Sequence, residues 1–142
     1  MIYLFDTNVI AELTTRPKPD PAVVAWFHST PRPNRYLSVL TLAEIDAGVT
    51  ATPDPTRRAH YARVLAELRT EYHRRIAPIG EPEATAYLAL HKTLKATGQS
   101  IDPPDALIAA TALANCWTLA SRNTKHLART GVTLINPWHH QN

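Results

Sequence analysis

Short apolar runs alternate with longer amphipathic or alanine-rich stretches along the whole chain, and no other feature restricts the fold so much. Residues 2–5, 36–39, 76–79, 118–121 and 132–135 each read as a short buried strand. Between them the spacing predicts helices. A short one covers 8–14, and Asp20-Pro21 opens a second that runs through Trp26 and Phe27. A third lies around 42–49, and Asp54-Pro55 starts the longest, which reaches about Arg75. Glu81-Pro82 opens another that stops near Gly98, and Pro103-Pro104-Asp105 begins an alanine-rich helix over 106–115. An acid before proline supplies a cap and a preset first helical residue. Gly98 suits the position just past a helix end, where a left-handed backbone is needed. The longest helix spaces Ala62, Leu65, Leu68 and Tyr72 as one apolar face. Strands that alternate with helices stack as an α/β sandwich around a mostly parallel sheet. Pro78, inside the third run, predicts a sheet edge, since a central strand would lose a ladder hydrogen bond.

At 142 residues, 44% hydrophobic and 19% charged, the chain suits a single domain, 1–142, with a sizeable core. No apolar run approaches the ~20 residues that span a bilayer, and no secretory signal is visible. Cys116 is the one cysteine, in an apolar context. It cannot form an internal disulfide, fits a reducing cytoplasm and reads as a small buried hydrophobe. The net charge of +3 permits nucleic-acid contact without arguing for it. Arg57, Arg58, Arg63, Arg69, Arg74 and Arg75 fall on the longest predicted helix, and Arg122, Lys125 and Arg129 follow the fourth strand. A solvated face with pairs such as Glu71–Arg75 is the ordinary reading of the helical set.

Several chemistries are excluded. The four glycines, at 48, 80, 98 and 131, allow neither a Gly-x-Gly-x-x-Gly turn nor a P-loop. There is no Gly-x-Ser-x-Gly elbow. The histidines lack zinc spacing, and His139-His140 read as a solvated tail. Acids at element boundaries remain. Asp6 ends the first strand, Glu44 follows the second within Leu42-Ala43-Glu44-Ile45, and Asp105 opens the alanine-rich helix. Apolar neighbours around Glu44 predict a helix buried on most sides that holds this acid near the sheet. Each acid alone has a simpler account: Asp6 as a cap, Asp105 as a favoured first-turn residue. Together, carboxylates at strand ends without nearby Lys or His form a hard oxygen site suited to Mg²⁺ or Mn²⁺. Such an ion activates water and offsets charge on a phosphodiester. Three unrelated caps and surface acids are the competing account.

Four segments in register carry a resemblance. Phe5-Asp6-Thr7-Asn8-Val9-Ile10, Leu42-Ala43-Glu44-Ile45, Asp105-Ala106-Leu107-Ile108-Ala109-Ala110-Thr111-Ala112 and Thr118-Leu119-Ala120-Ser121-Arg122-Asn123-Thr124-Lys125 resemble the successive motifs of PIN-domain ribonucleases. The nearest group is the VapC-type toxins of type II toxin–antitoxin modules, including the FitB-like branch. The closing Gly131-Val132 to Ile135-Asn136-Pro137-Trp138 is similar too. The resemblance implies a three-layer α/β/α sandwich with a five-stranded parallel sheet in the order 3-2-1-4-5, which sets Asp6 at the crevice where the winding reverses. It implies a cytoplasmic endoribonuclease in which Asp6, Asp105 and Glu44 hold Mg²⁺, Glu44 directly or through water. Thr7, Asn8, Ser121 and Asn123 would support these ligands, and Arg122 and Lys125 would contact RNA phosphate. It also implies a cognate antitoxin, a homodimer or toxin–antitoxin hetero-oligomer, and operator DNA bound through the antitoxin complex.

One departure stands out. Relatives place a fourth acid at the position of Asn123 or of His126, and neither is acidic here. The Asn123 carbonyl remains a potential ligand or holder of a metal-bound water, and His126 reads as a helix-surface residue. A degenerate PIN domain that binds RNA or antitoxin without cutting is therefore the alternative. A haloacid dehalogenase-type phosphatase is a poorer match, since it needs an acid where Asn8 stands.

Overall fold

The computed structural model describes residues 1–141. Its elements are β1 (Tyr3–Phe5), α1 (Thr7–Thr14), α2 (Pro21–Ser29), β2 (Arg35–Ser38), α3 (Val39–Ala51), α4 (Pro55–Glu71), β3 (Ile76–Ala77), α5 (Glu81–Ala96), α6 (Pro103–Asn115), β4 (Thr118–Ala120), α7 (Thr124–Leu127) and β5 (Leu134–Ile135). Single 3-10 turns occur at Arg32–Asn34, Ala128–Thr130 and Pro137–His139. The strands form one parallel sheet in the order β3-β2-β1-β4-β5, so β1 and β4 lie side by side in the middle. β3 is an edge strand, and Pro78 falls just past it where no ladder bond is lost.

Alternate strand residues point to opposite faces, and each face has its own core. Phe5, Leu37 and Ala120 pack with Val9, Ile10, Val23, Trp26 and Leu68, under α1, α2 and α4. Leu4, Ala77 and Leu119 pack with Leu90, Leu94, Ile108 and Leu127, under α5, α6 and α7. Completely buried residues such as Phe5 and Leu119 each contribute about 1.5–3 kcal/mol by leaving water. The alanines of α6 let that helix lie close on the second face: Ala106, Ala109, Ala110 and Ala112 have no exposed surface.

The cap signals are structural. Asp20 accepts from Ala22 N–H at 2.8 Å and Asp54 from Arg57 N–H at 3.3 Å. Gly98 follows α5 with φ +71°, and Gln99 N–H returns to the Leu94 carbonyl at 2.8 Å.

Several boundaries and burials differ from the sequence reading. α4 stops at Glu71, so Arg74 and Arg75 lie beyond it; Arg74 takes φ +69°, which breaks the helical path. Ala62 is exposed and Val64 fills the core position instead, because the buried face of α4 is narrower than the apolar spacing suggested. Cys116 is exposed rather than buried: it caps α6 in a left-handed turn, φ +57°, off the helix face that meets the sheet. The tail is not loose, since Trp138 packs on the first core, although His139 is exposed. No helix among the described residues is long and apolar enough to cross a membrane.

Candidate active site

Parallel pairing brings the ends of β1 and β4 together, with Phe5 opposite Ala120. The next residue of each strand, Asp6 and Ser121, therefore meet at the carboxyl edge of the sheet. The Asp6 backbone N–H continues the ladder to the Ala120 carbonyl at 2.9 Å. Ser121 Oγ–H donates to Asp6 Oδ2 at 2.7 Å, and Thr7 N–H donates to Asp6 Oδ1 at 2.7 Å. Asn8 spans the same junction. Its Nδ2 lies 3.2 Å from Ser121 Oγ and 3.4 Å from Asp6 Oδ2, and its Oδ1 accepts from Arg122 N–H at 3.3 Å. Asp6 thus caps α1, and the same carboxylate is held from the neighbouring strand by Ser121.

Asp6 is only 7% exposed. Burial pushes its carboxyl above the usual range; the hydrogen bonds from Ser121 and Thr7 oppose this, and the negative charges of Asp105 and Glu44 add to the rise. None of the groups acting on it is a cation. Asp105, in the first turn of α6, is also raised, first by burial and then by Asp102, while His126 and Asn123 oppose the rise. Asn123 Nδ2–H donates to Asp105 Oδ2 at 3.1 Å. Ser121 Oγ accepts from Asn123 N–H at 3.0 Å, which ties the Asp105 support to the Asp6 support.

Glu44 requires a correction. It is exposed, as are Ala43, Asp46 and Ala47, so α3 is not buried on most sides. Thr41 and Leu42 are the buried residues of this helix, with Leu40 and Ile45 packed partly buried against the cores, and no further layer covers its outer face. What holds Glu44 at the site is a hydroxyl: Thr7 Oγ1–H donates to Glu44 Oε1 at 2.9 Å, and Thr41 Oγ1 lies 3.1 Å from the same oxygen of Thr7. Thr41 was not marked by the sequence reading. Its only sequence signal is its place in the first turn after β2, with Ser38 as the cap that accepts from Leu40 N–H at 3.0 Å.

Arg122 and Lys125 are exposed, and the Arg122 guanidinium lies over the Trp138 ring, 5.1 Å from its centroid. Beside Asp105 a polar cleft of about 210 Å³ opens, lined by Ser100, Ile101, Asp102, Asp105, His126 and Arg129. A separate apolar cleft of about 430 Å³, bordered by Ile10, Leu13, Phe27, Val64 and Leu68, contains none of the three acids.

The donor set fits a hydrated hard cation better than an enclosed one. Among the described residues no group of three or more His, Cys, Asp or Glu closes around a point that could hold an ion. Mg²⁺ ordinarily keeps several waters and takes only one or two carboxylates. Asp6 and Asp105, two oxygen donors raised by burial and by other acids without a cation at Asp6, meet that requirement.

A PIN domain family model matches residues 3–132. Toxin FitB of Neisseria gonorrhoeae is 36% identical over 137 residues, which cover 96% of this chain and 98% of that protein. VapC ribonuclease Y4jK of Sinorhizobium fredii is 35% identical over 136 residues, 95% of this chain and 96% of its own. Among solved structures, FitAB bound to the IR36 DNA fragment superposes with a TM-score of 0.89 at 34% identity, covering 99% of each chain.

Proposed function

The chain belongs to the PIN-domain family, and on that premise we propose that it is a metal-dependent endoribonuclease, the VapC-type toxin of a toxin–antitoxin module. The observation that carries the reading is the hydrogen-bonded chain that joins Asp6 at the end of β1 to Asp105 in α6 through Ser121 and Asn123, with no cation acting on Asp6. Relatives named as a toxin and as a ribonuclease, matched over nearly their full lengths, support it.

Asp6 and Asp105 would hold Mg²⁺, with Mn²⁺ as a substitute, and Glu44 would reach it through water. A bound ion of this kind supplies an activated water and offsets charge that builds on the phosphodiester. The chain's own residues do the rest. Thr7 N–H and Ser121 Oγ–H fix one oxygen of Asp6 each, which sets the orientation of the carboxylate. Asn8 locks Ser121 and the Arg122 backbone to the same junction. Glu44, swung from the exposed face of α3 by Thr7, orients the attacking water. Arg122 and Lys125 contact RNA phosphate at the rim, and the Trp138 ring beneath Arg122 restricts that guanidinium.

A cognate antitoxin restrains the toxin, and operator DNA is bound through the toxin–antitoxin complex; the FitAB–DNA structure supports that assembly. Homodimerisation and a cytoplasmic location complete the reading.

The test incubates the purified chain, free of antitoxin, with total bacterial RNA in EDTA, Mg²⁺ or Mn²⁺, with Asp6→Ala beside each. Discrete fragments that need metal and vanish in the variant are expected, and their ends identify the target. The non-acidic Asn123 and His126 favour one rival, a PIN domain that binds without cutting. Folded protein that binds RNA and leaves it intact with every metal would establish that rival.

A further inference from the structure

Asn123 stands where the family resemblance implies an acid, and its surroundings decide which end of its amide faces the site. The amide lies between two partners: Asp105 Oδ2, 3.1 Å from Nδ2, and His126 Nδ1, 3.1 Å from Oδ1. A carboxylate only accepts, so the amide nitrogen must face Asp105. The amide oxygen also only accepts, so His126 must present Nδ1–H to it. The opposite orientation would set two acceptor oxygens against each other at the same separation.

We propose that Asn123 and His126 form a clamp on Asp105: His126 Nδ1–H holds the Asn123 carbonyl away from the site, and the Asn123 amide nitrogen holds Asp105 in place. Asn123 is then a positioning residue rather than a metal ligand. The site draws its protein carboxylates from Asp6 and Asp105, with Glu44 at the rim, and accepts a single ion. Three other observations agree. Asn123 N–H donates to Ser121 Oγ, so the clamp is anchored on the hydroxyl that orients Asp6. Leu127, next to His126 in α7, has no exposed surface, which fixes the helix from which His126 reaches out. His126 is exposed on the helix surface and at the same time lines the cleft beside Asp105, so its ring borders the site. The residue read as an ordinary helix-surface histidine thus acts on the site through Asn123.

The inference rests on the nuclease reading for its purpose but not for its geometry, and the two are tested separately. The first readout needs neither metal nor activity: nitrogen-15 NMR of the His126 ring at a pH where it is neutral. The Nδ1–H tautomer is expected, and the Nε2–H tautomer overturns the clamp. The second readout is Mn²⁺ binding by calorimetry to the wild type, His126→Leu and His126→Gln, each with a thermal melt. One Mn²⁺ per chain is expected for the wild type. The exposed position leaves both melts near wild type; His126→Leu binds Mn²⁺ roughly tenfold more weakly, and His126→Gln, which retains an N–H donor, restores most of the loss. Two ions per chain, or a His126→Leu variant that binds as tightly or more tightly, would overturn the proposal. A wild type that binds no Mn²⁺ defeats the metal-dependent nuclease reading, and the tautomer then decides the clamp alone.

Discussion

Asp6 and Glu71 are both acids at the ends of the sheet, one at the carboxyl end of β1 and the other beside the amino ends of β2 and β3. Glu71 is surrounded by cations. Arg32 Nε–H donates to it at 2.7 Å, and Arg75 lies 3.4 Å away while also donating to the Arg32 and Arg35 carbonyls. The hydrogen bond from Arg32 is the largest influence, and it holds the Glu71 carboxyl below its ordinary range. Asp6 has hydrogen bonds and burial but no cation, and its carboxyl is raised. The contrast separates an acid whose charge is offset by cations from an acid that is buried without one. A buried carboxylate without a counter-charge opposes folding, and such residues concentrate at functional sites.

That comparison can be broken from either end. The largest effect is expected at the unpaired end: Asp105→Asn lowers metal-dependent RNA cleavage by more than about a hundredfold, while the thermal melt stays near wild type. An activity loss that merely tracks unfolding would remove Asp105 from the catalytic role. Next is Ala109→Leu, at a fully buried position of α6 in the second core. Overpacking there costs about 1–3 kcal/mol, so chemical denaturation should show a clear loss of stability. It should also weaken Mn²⁺ binding, because the same helix carries Asp105. Unchanged stability would mean that α6 does not lie as close to the sheet as its alanines indicate.

Asp6→Asn should move stability the other way. A raised folded pKa means that Asp6 favours folding only at pH below its unfolded value, and that this contribution is lost as pH rises through the raised value. The variant removes the penalty at neutral pH, so in EDTA its Tm should exceed that of the wild type by a few degrees. The gap should close as pH falls through the raised pKa. Added Mg²⁺ should raise the wild-type Tm alone. A variant that melts below the wild type in EDTA at neutral pH contradicts the account of Asp6 as a strained acid.

The smallest effect belongs to Glu71→Gln. The sign is opposite, since a depressed pKa gives stability that is present above the unfolded pKa and lost as pH falls through the folded one. Glu71 is half exposed, and solvent screens its pairs, so the expected fall in Tm at neutral pH is no more than about 2 °C. It should shrink further in high salt, with cleavage unchanged. A larger, salt-insensitive fall would show that the Arg32–Glu71–Arg75 group is more than a surface pairing.

How much of this was legible depends on the range of the interaction. Asp20-Pro21 and Asp54-Pro55 announced their helices because a cap and its proline act within a few residues, and Gly98 announced an end for the same reason. Glu44 is exposed although its sequence neighbours are apolar, because apolar neighbours say nothing about whether another layer covers them. Cys116 failed similarly: its composition is apolar, but its left-handed position in the α6 turn turns it outward. Glu12 is a further case. It is buried, accepts from Asp20 N–H at 2.9 Å and lies 3.5 Å from Arg16, yet in sequence it is one more acid on a short helix.

From the sequence alone came the α/β alternation, the edge position of the strand before Pro78 and the acids at element boundaries, because period, proline chemistry and capping are local properties. The strand order could be named only through the family resemblance, and the tertiary structure supplies its physical content: β1 beside β4 sets Asp6 against Ser121, 115 positions apart. Tertiary contact also decided that Thr7 holds Glu44 and that His126 reaches Asn123. Those contacts depend on which elements pack side by side, and no spacing along the chain encodes the distance between two side chains from different elements.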